Sequence, residues 1–234
     1  MSEPLVPHVA IVDYGMGNLF SVKHACSQVG LRASITSSRA ILETAEAVIL
    51  PGVGAFGDAM QVLTELDLAV VLRDHVAAGK PLLGICLGMQ LLMSESQEFG
   101  LHKGLGIIEG DVVRLEHAVI GERTLKVPQV GWNTICQRPS RAWEGSLLDG
   151  LPDEVFMYFV HSFYPRPADA RVGLSMTRYG PTTFCSSLQH GNVFACQFHP
   201  ERSGAWGLRI YQNLARFLNA GSRVPRSTVE VHHV

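Results

Sequence analysis

The chain has 234 residues, of which 47% are apolar and 17% charged, and its formal net charge is −2. That length and balance describe a folded chain with a sizeable core, and the near-neutral charge gives no electrostatic reason to expect nucleic acid or an anionic membrane as partner. No apolar run approaches the roughly 20 residues of a membrane-spanning helix, and the opening MSEPLVPHVAIVDYG lacks the basic start and cleavage site of a signal peptide.

In chain order, HVAIVDY (8–14) predicts a buried strand, short and apolar, that ends at YGMGN. Leu19, Val22, Cys26 and Val29 then recur at helical spacing, with Gly30 as the stop. AVILPG (47–52) predicts a second buried strand broken by Pro-Gly. Leu68, Val71, Leu72, His75 and Val76 share one helical face, and Gly79-Lys80-Pro81 closes it. PLLGIC (81–86) predicts a third strand, and LGMQLLMSE a helix running on from it. Strand and helix alternating in this way argue for a parallel sheet covered on both faces.

From about Gly104 to Phe184 the pattern changes to Gly, Pro and short runs such as VVRL and VFMYFVHSFY, which predict antiparallel strands and loops. VFACQFHP (193–200) gives a last strand, and Leu208, Tyr211, Ala215 and Leu218 a final helix. The expected architecture is therefore α/β: an open, mainly parallel sheet with helices on both faces, plus a smaller antiparallel section. One domain covers residues 7–221, and residues 222–234 form a polar, frayed tail.

The five cysteines, at positions 26, 86, 136, 185 and 196, form no CxxC pair and leave one over. They suit a reducing, cytoplasmic setting better than a disulfide framework or a zinc site. With no metal-ligand cluster and no phosphate-cradling glycine loop, no metal and no cofactor is expected.

One cysteine stands out. In GICLGMQLL (84–92), Cys86 sits between two glycines where a strand turns into a helix, the geometry of a nucleophile elbow with Cys in place of Ser. Gly84 and Gly88 leave room for the turn and for close packing, and a helix N-terminus behind the thiol favours its anion. A partner base is offered by QFHPE (197–201). His199 precedes a proline, which biases it to extended backbone, and a period near two sets His199 and Glu201 on the same side. A base held by a carboxylate is the arrangement of a catalytic triad. PGVG (51–54) follows a strand that lies near the elbow; the backbone N–H of Val53 and that of Leu87 are candidates for an oxyanion hole, with Gly52 beside them. An ordinary strand-to-helix turn would explain PGVG equally well.

Together these three motifs resemble the class I (triad) glutamine amidotransferases over most of the chain. The resemblance implies that Cys86 attacks the side-chain carboxamide of glutamine, that His199 shuttles a proton to the departing ammonia, and that Glu201 holds His199. It implies a glutamine pocket of Gln90, Glu98, His161 and Ser162. A narrower likeness, in DYGMGNLFSV (13–22), PGVGAFGDAM (51–60), VPQVGWN (127–133), YFVHSFY (158–164) and HPERSG (199–204), is to the glutaminase subunits of imidazole glycerol phosphate synthases. That likeness implies a heterodimer with a cyclase subunit, a (β/α)8 barrel that binds PRFAR and receives the ammonia for histidine biosynthesis. It further implies that PGVG completes the oxyanion hole only when the barrel is occupied.

Asn18, Trp132, Tyr158 and Arg202 are the expected contacts to that partner, aromatic residues and arginine being favoured interface anchors. Four positions depart from the family pattern. Arg202 stands where lysine is common, Phe163 where tyrosine is common, and Gln129-Val130 where His-Met is familiar. Other readings stay open: a glutaminase subunit serving another ammonia acceptor such as a sugar-aminating synthase, a non-catalytic scaffold, or a cysteine hydrolase on a related sheet.

Overall fold

Apolar on both faces, the short runs of the N-terminal half line up side by side as parallel strands. The structure is a computed structural model and describes residues 6–117, 119–120 and 123–220; the tail expected at 222–234 lies outside them. In chain order the first half comprises β1 (His8–Val12), α1 (Leu19–Gln28), β2 (Arg32–Thr36), α2 (Arg39–Thr44), β3 (Ala47–Gly52), α3 (Phe56–Glu65), α4 (Leu68–Ala77), β4 (Leu82–Cys86), α5 (Leu87–Leu91) and β5 (Met93–Ser96). Strands then dominate: β6 (His102–Lys103), β7 (Ile108–Arg114), β8 (Val119–Ile120), β9 (Arg123–Thr124), β10 (Gln129–Gln137), β11 (Val155–His161), β12 (Phe163–Pro167), β13 (Gly173–Tyr179), β14 (Thr182–His190) and β15 (Val193–Cys196), before α6 (Gly204–Asn219).

Nine strands form one sheet in the order β11-β10-β13-β14-β15-β4-β3-β1-β2. The stretch β15-β4-β3-β1-β2 is parallel throughout. Its order is that of a doubly wound flavodoxin-like sheet. From β15 onward the pairing turns antiparallel through β14, β13, β10 and β11. Part of the expected antiparallel section thus continues the main sheet, and part forms a second sheet, β12-β7-β5-β6.

The two-residue period of β1 sorts the core. Val9 and Ile11 pack with Val22 and Cys26 of α1 and Ile210 and Leu214 of α6. Ala10 and Val12 pack on the opposite face with Leu42, Leu63 and Leu72 of α2, α3 and α4. Helices therefore cover both faces of the parallel half.

Two expectations change. The helix predicted over LGMQLLMSE ends at Leu91, and Met93–Ser96 pairs with β7 and β6 as a strand; pairing on both sides in the second sheet overrides a good helical sequence. His199 keeps the extended backbone expected of it, at φ −102° and ψ 95°, but the residues after it do not continue as a strand. Pro200–Arg202 forms a 3₁₀ turn with Pro at its start, where a fixed φ and a missing N–H cost nothing. Gly30, by contrast, ends α1 as expected, at φ +79° in the left-handed region that suits glycine.

Candidate active site

β3 and β4 run in a register that pairs Pro51 with Ile85 and Gly52 with Cys86. The end of the PGVG strand therefore lies directly beside the elbow. Cys86 itself sits at φ 56° and ψ −110°, a strained backbone for a residue with a side chain, as the first residue ahead of α5. The surrounding close packing explains how the strain is held. A Cβ at Gly88 would lie 1.7 Å from the Leu50 carbonyl oxygen, so α5 rests directly on the backbone of β3. A Cβ at Gly84 would meet the Gly88 carbonyl at 3.0 Å.

The candidate base follows the end of the neighbouring strand β15. His199 donates from Nδ1 to Glu201 Oε1 at 2.8 Å, and both side chains are buried. The 3₁₀ turn rather than a strand brings the two together. Burial alone would lower the ring's proton affinity; the Cys86 sulfur and the Glu201 carboxylate outweigh it and carry His199 up to about 10. Nε2 of His199 has no protein partner among the described residues, leaving it free for proton transfer.

A cleft of about 240 Å³ opens over Cys86, lined by Val53, Gly54, Leu87, Gln90, Glu98, Pro128, His161, Ser162 and Phe163 among others. Every residue expected in the glutamine pocket is thus brought to one cleft with Cys86, as are Val53 and Leu87; Gly52 stands behind them, against Leu87 and the Tyr14 hydroxyl. Glu98 is already partly engaged: its Oε2 accepts from the Phe56 N–H at 2.7 Å, capping α3, the helix that follows PGVG. His161 donates from Nδ1 to the Phe163 carbonyl at 2.9 Å, and burial pushes its proton affinity down to about 4, so the ring is neutral near pH 7.

The four residues expected at a partner surface divide. Trp132 and Tyr158 meet edge to face with centroids 6.0 Å apart, and the Arg202 guanidinium lies 5.8 Å over the Tyr158 ring. Trp132 is 57% exposed, a large aromatic left to solvent. Asn18 stands at the head of α1, where its side chain accepts from the Ser21 N–H at 3.4 Å. Of the four other cysteines, Cys26, Cys185 and Cys196 are buried and Cys136 is half-buried. All are free, and burial raises Cys26 and Cys185 to about 12. Among the described residues no cluster of ligands could hold a metal, and no helix is long and apolar enough to cross a membrane.

Three contributors escape the sequence reading. Gln197, wholly buried, donates to the Cys86 sulfur at 3.5 Å. Tyr14 donates its hydroxyl to the Pro51 carbonyl at 2.8 Å. The Val160 carbonyl accepts from the Cys86 thiol at 3.8 Å. A buried Gln between Cys196 and Phe198 was the one signal available, since a polar side chain inside an apolar run needs a partner.

Residues 10–215 match the family model described as glutamine amidotransferase class-I. The chain is 45% identical over 207 residues to the imidazole glycerol phosphate synthase subunit HisH of Aquifex aeolicus, covering 88% of this chain and 95% of that protein. It is 46% identical over 207 residues to the subunit of the same name from Syntrophotalea carbinolica, covering 88% and 98%. In fold it resembles a crystal structure of a glutamine amidotransferase, with a TM-score of 0.65 at 23% identity, covering 88% of this chain and 98% of the other.

Proposed function

The chain belongs to the class-I glutamine amidotransferase family, and we propose that Cys86, His199 and Glu201 are the residues with which it hydrolyses glutamine. Its function is that of the glutaminase subunit of imidazole glycerol phosphate synthase, the enzyme whose subunit HisH its relatives are named for. The observation that carries the residue assignment is the meeting of three features at one strand edge: the strained elbow at Cys86, the buried His199–Glu201 pair, and the PGVG end in register with the elbow.

The chemistry follows from that geometry. The Cys86 sulfur attacks the side-chain carboxamide carbon of glutamine, and the negative charge that develops on oxygen is met by backbone N–H groups of Leu87 and, when correctly turned, Val53. His199, protonated at Nε2, gives that proton to the departing nitrogen, so ammonia leaves and a γ-glutamyl thioester remains. The same nitrogen then takes a proton from water, whose oxygen displaces the sulfur and releases glutamate. Glu201 keeps Nδ1 protonated throughout, fixing the tautomer that these transfers need. Gln90, Glu98, His161 and Ser162 form the pocket walls around the amino-acid end.

The ammonia passes to a cyclase subunit of (β/α)8 form, bound as a heterodimer at the Trp132–Tyr158–Arg202 face in the cytoplasm, and is used there to make imidazole glycerol phosphate from PRFAR. Glutamate release by the purified chain, alone, with the cyclase, and with cyclase plus PRFAR, tests the reading. Low activity alone and a large rise with the loaded barrel support it. High activity alone removes the gating of PGVG, and no activity in any state, with intact binding, makes the chain a scaffold.

A further inference from the structure

A chain of side-chain amides runs beneath the cleft, and its direction is set by its two ends. Gln90 Nε2 donates both to the Phe163 carbonyl at 2.9 Å and to Gln197 Oε1 at 3.0 Å. A carbonyl oxygen can only accept, so Gln90 must turn its NH₂ group downward, and both of that group's hydrogens are used. Gln197 then has its oxygen occupied by Gln90, which turns its own NH₂ group to the Cys86 sulfur at 3.5 Å. Gln197 is wholly buried and Gln90 nearly so, and water cannot take the place of either partner.

We propose that Gln197 serves the reaction in two ways: its amide N–H stabilises the negatively charged Cys86 sulfur, and its oxygen locks Gln90 with Oε1 turned toward the cleft as a hydrogen-bond acceptor for substrate N–H groups. An amide suits both tasks because it donates at one end and accepts at the other, whereas a carboxylate there would repel the sulfur and a hydrocarbon would release Gln90. The donor acts on the form of the thiol that reacts, and a hydrogen bond to a charged acceptor is about twice as strong as one to a neutral acceptor. Gln197 thus supports the nucleophile from the side opposite the Val160 carbonyl's acceptor contact in chemical character: one partner favours the anion and the other the thiol.

This inference rests on Cys86 being the nucleophile, and the test separates the two claims. Cys86 labelling by iodoacetamide at pH 7, located by peptide mass, is measured in the full chain with and without Gln197→Leu and the isosteric Gln197→Glu, with Cys86→Ala as the control. We expect Gln197→Leu to slow Cys86 labelling about 10-fold, the loss of one charge-assisted hydrogen bond, and Gln197→Glu to slow it further. Glutamine KM should rise in both, as Gln90 loses its anchor, and Gln197→Asn should recover neither property because its amide falls short by one methylene. Unchanged labelling in folded Gln197→Glu overturns the proposal even if turnover falls. Full glutaminase activity in Cys86→Ala would instead remove the nucleophile assignment, while labelling would still report the Gln197 contact.

Discussion

The Tyr14 hydroxyl donates to the Pro51 carbonyl at 2.8 Å and lies where a Cβ on Gly52 would come within 2.1 Å of it. One phenol thus both anchors the PGVG segment and leaves no space for a side chain on its second residue. Gly54 is bounded in the same way, by Met16 at 2.4 Å, and holds φ +124°. The loop that follows β1 is therefore the support of the segment that supplies the Val53 N–H.

Gly52→Ala should accordingly lower stimulated glutaminase activity by about 100-fold, a displacement of one oxyanion donor, and destabilise the fold by about 1–3 kcal/mol through overpacking. Tyr14→Phe alone costs about 1 kcal/mol, the net value of one hydrogen bond. The double variant regains part of both losses because the clashing oxygen has gone. Urea unfolding and kcat for the four proteins form a cycle, and strict additivity would show that the two residues do not meet.

Removing the carboxylate behind the base should act on chemistry rather than on folding. Glu201→Gln keeps shape and a hydrogen bond to His199, but offers an amide whose NH₂ end competes for the Nδ1 position. With the charge gone, His199 falls below about 10, the Cys86 sulfur remaining as its larger support. We expect kcat to drop about 100- to 1,000-fold in the presence of the loaded partner, with a similar KM. An NMR titration of His199 that does not move would show that Glu201 is not its electrostatic support.

How much of this was legible in the sequence depends on where the controlling contact lies. β3 and β4 were readable because strands buried on both faces must be apolar without interruption, and their ends carried Pro-Gly and Gly-x-Cys. The α4 face was readable for the same local reason; Leu68, Val71, Leu72, His75 and Val76 are all buried. β2 was missed because it is an edge strand with only Thr36 buried, so no apolar run marks it. α3 was missed because Ala55 ahead of it offers no capping side chain, and its N-terminus is capped by Glu98 from 42 residues away, which no local pattern reveals. Cys86, His199 and Glu201 were legible as candidates because the elbow and His-Pro-Glu are local signatures. Gln197 and Tyr14 were missed because what they do depends on partners brought together by the strand order.

At the exposed face, Trp132→Ala should separate binding from stability. Its ring meets Tyr158 and is more than half exposed, so the free chain should change by less than about 0.5 kcal/mol. Buried in a partner interface, the same ring becomes a hot-spot anchor, and its loss should weaken cyclase binding by about 2 kcal/mol, or roughly 30-fold. Calorimetric titration with the cyclase reads this directly. Equal affinity for wild type and variant would move the interface away from the Trp132–Tyr158–Arg202 trio.

The last expectation concerns acid. His75 and His161 are both buried and both lowered to about 4, in each case first by burial. A histidine depressed in the folded chain is protonated first when the chain unfolds. Its stabilising contribution is therefore fully present above about 6.5, the unfolded value, and is lost as pH falls toward 4. For one such group the loss approaches about 3 kcal/mol. His199 has the opposite sign: raised to about 10, its contribution is full below 6.5 and fades as pH rises toward 10. Stability should then decline on both sides of neutrality, more steeply toward acid, where two groups act together. His75 lies on α4, away from the cleft, and donates from Nε2 to the Pro81 carbonyl at 3.1 Å, so His75→Gln can keep a donor while removing the titration. Urea unfolding at about pH 7.5 and about pH 5 should show a smaller acid loss in His75→Gln than in the parent chain. An identical loss in both would mean that His75 takes up its proton without opening the fold.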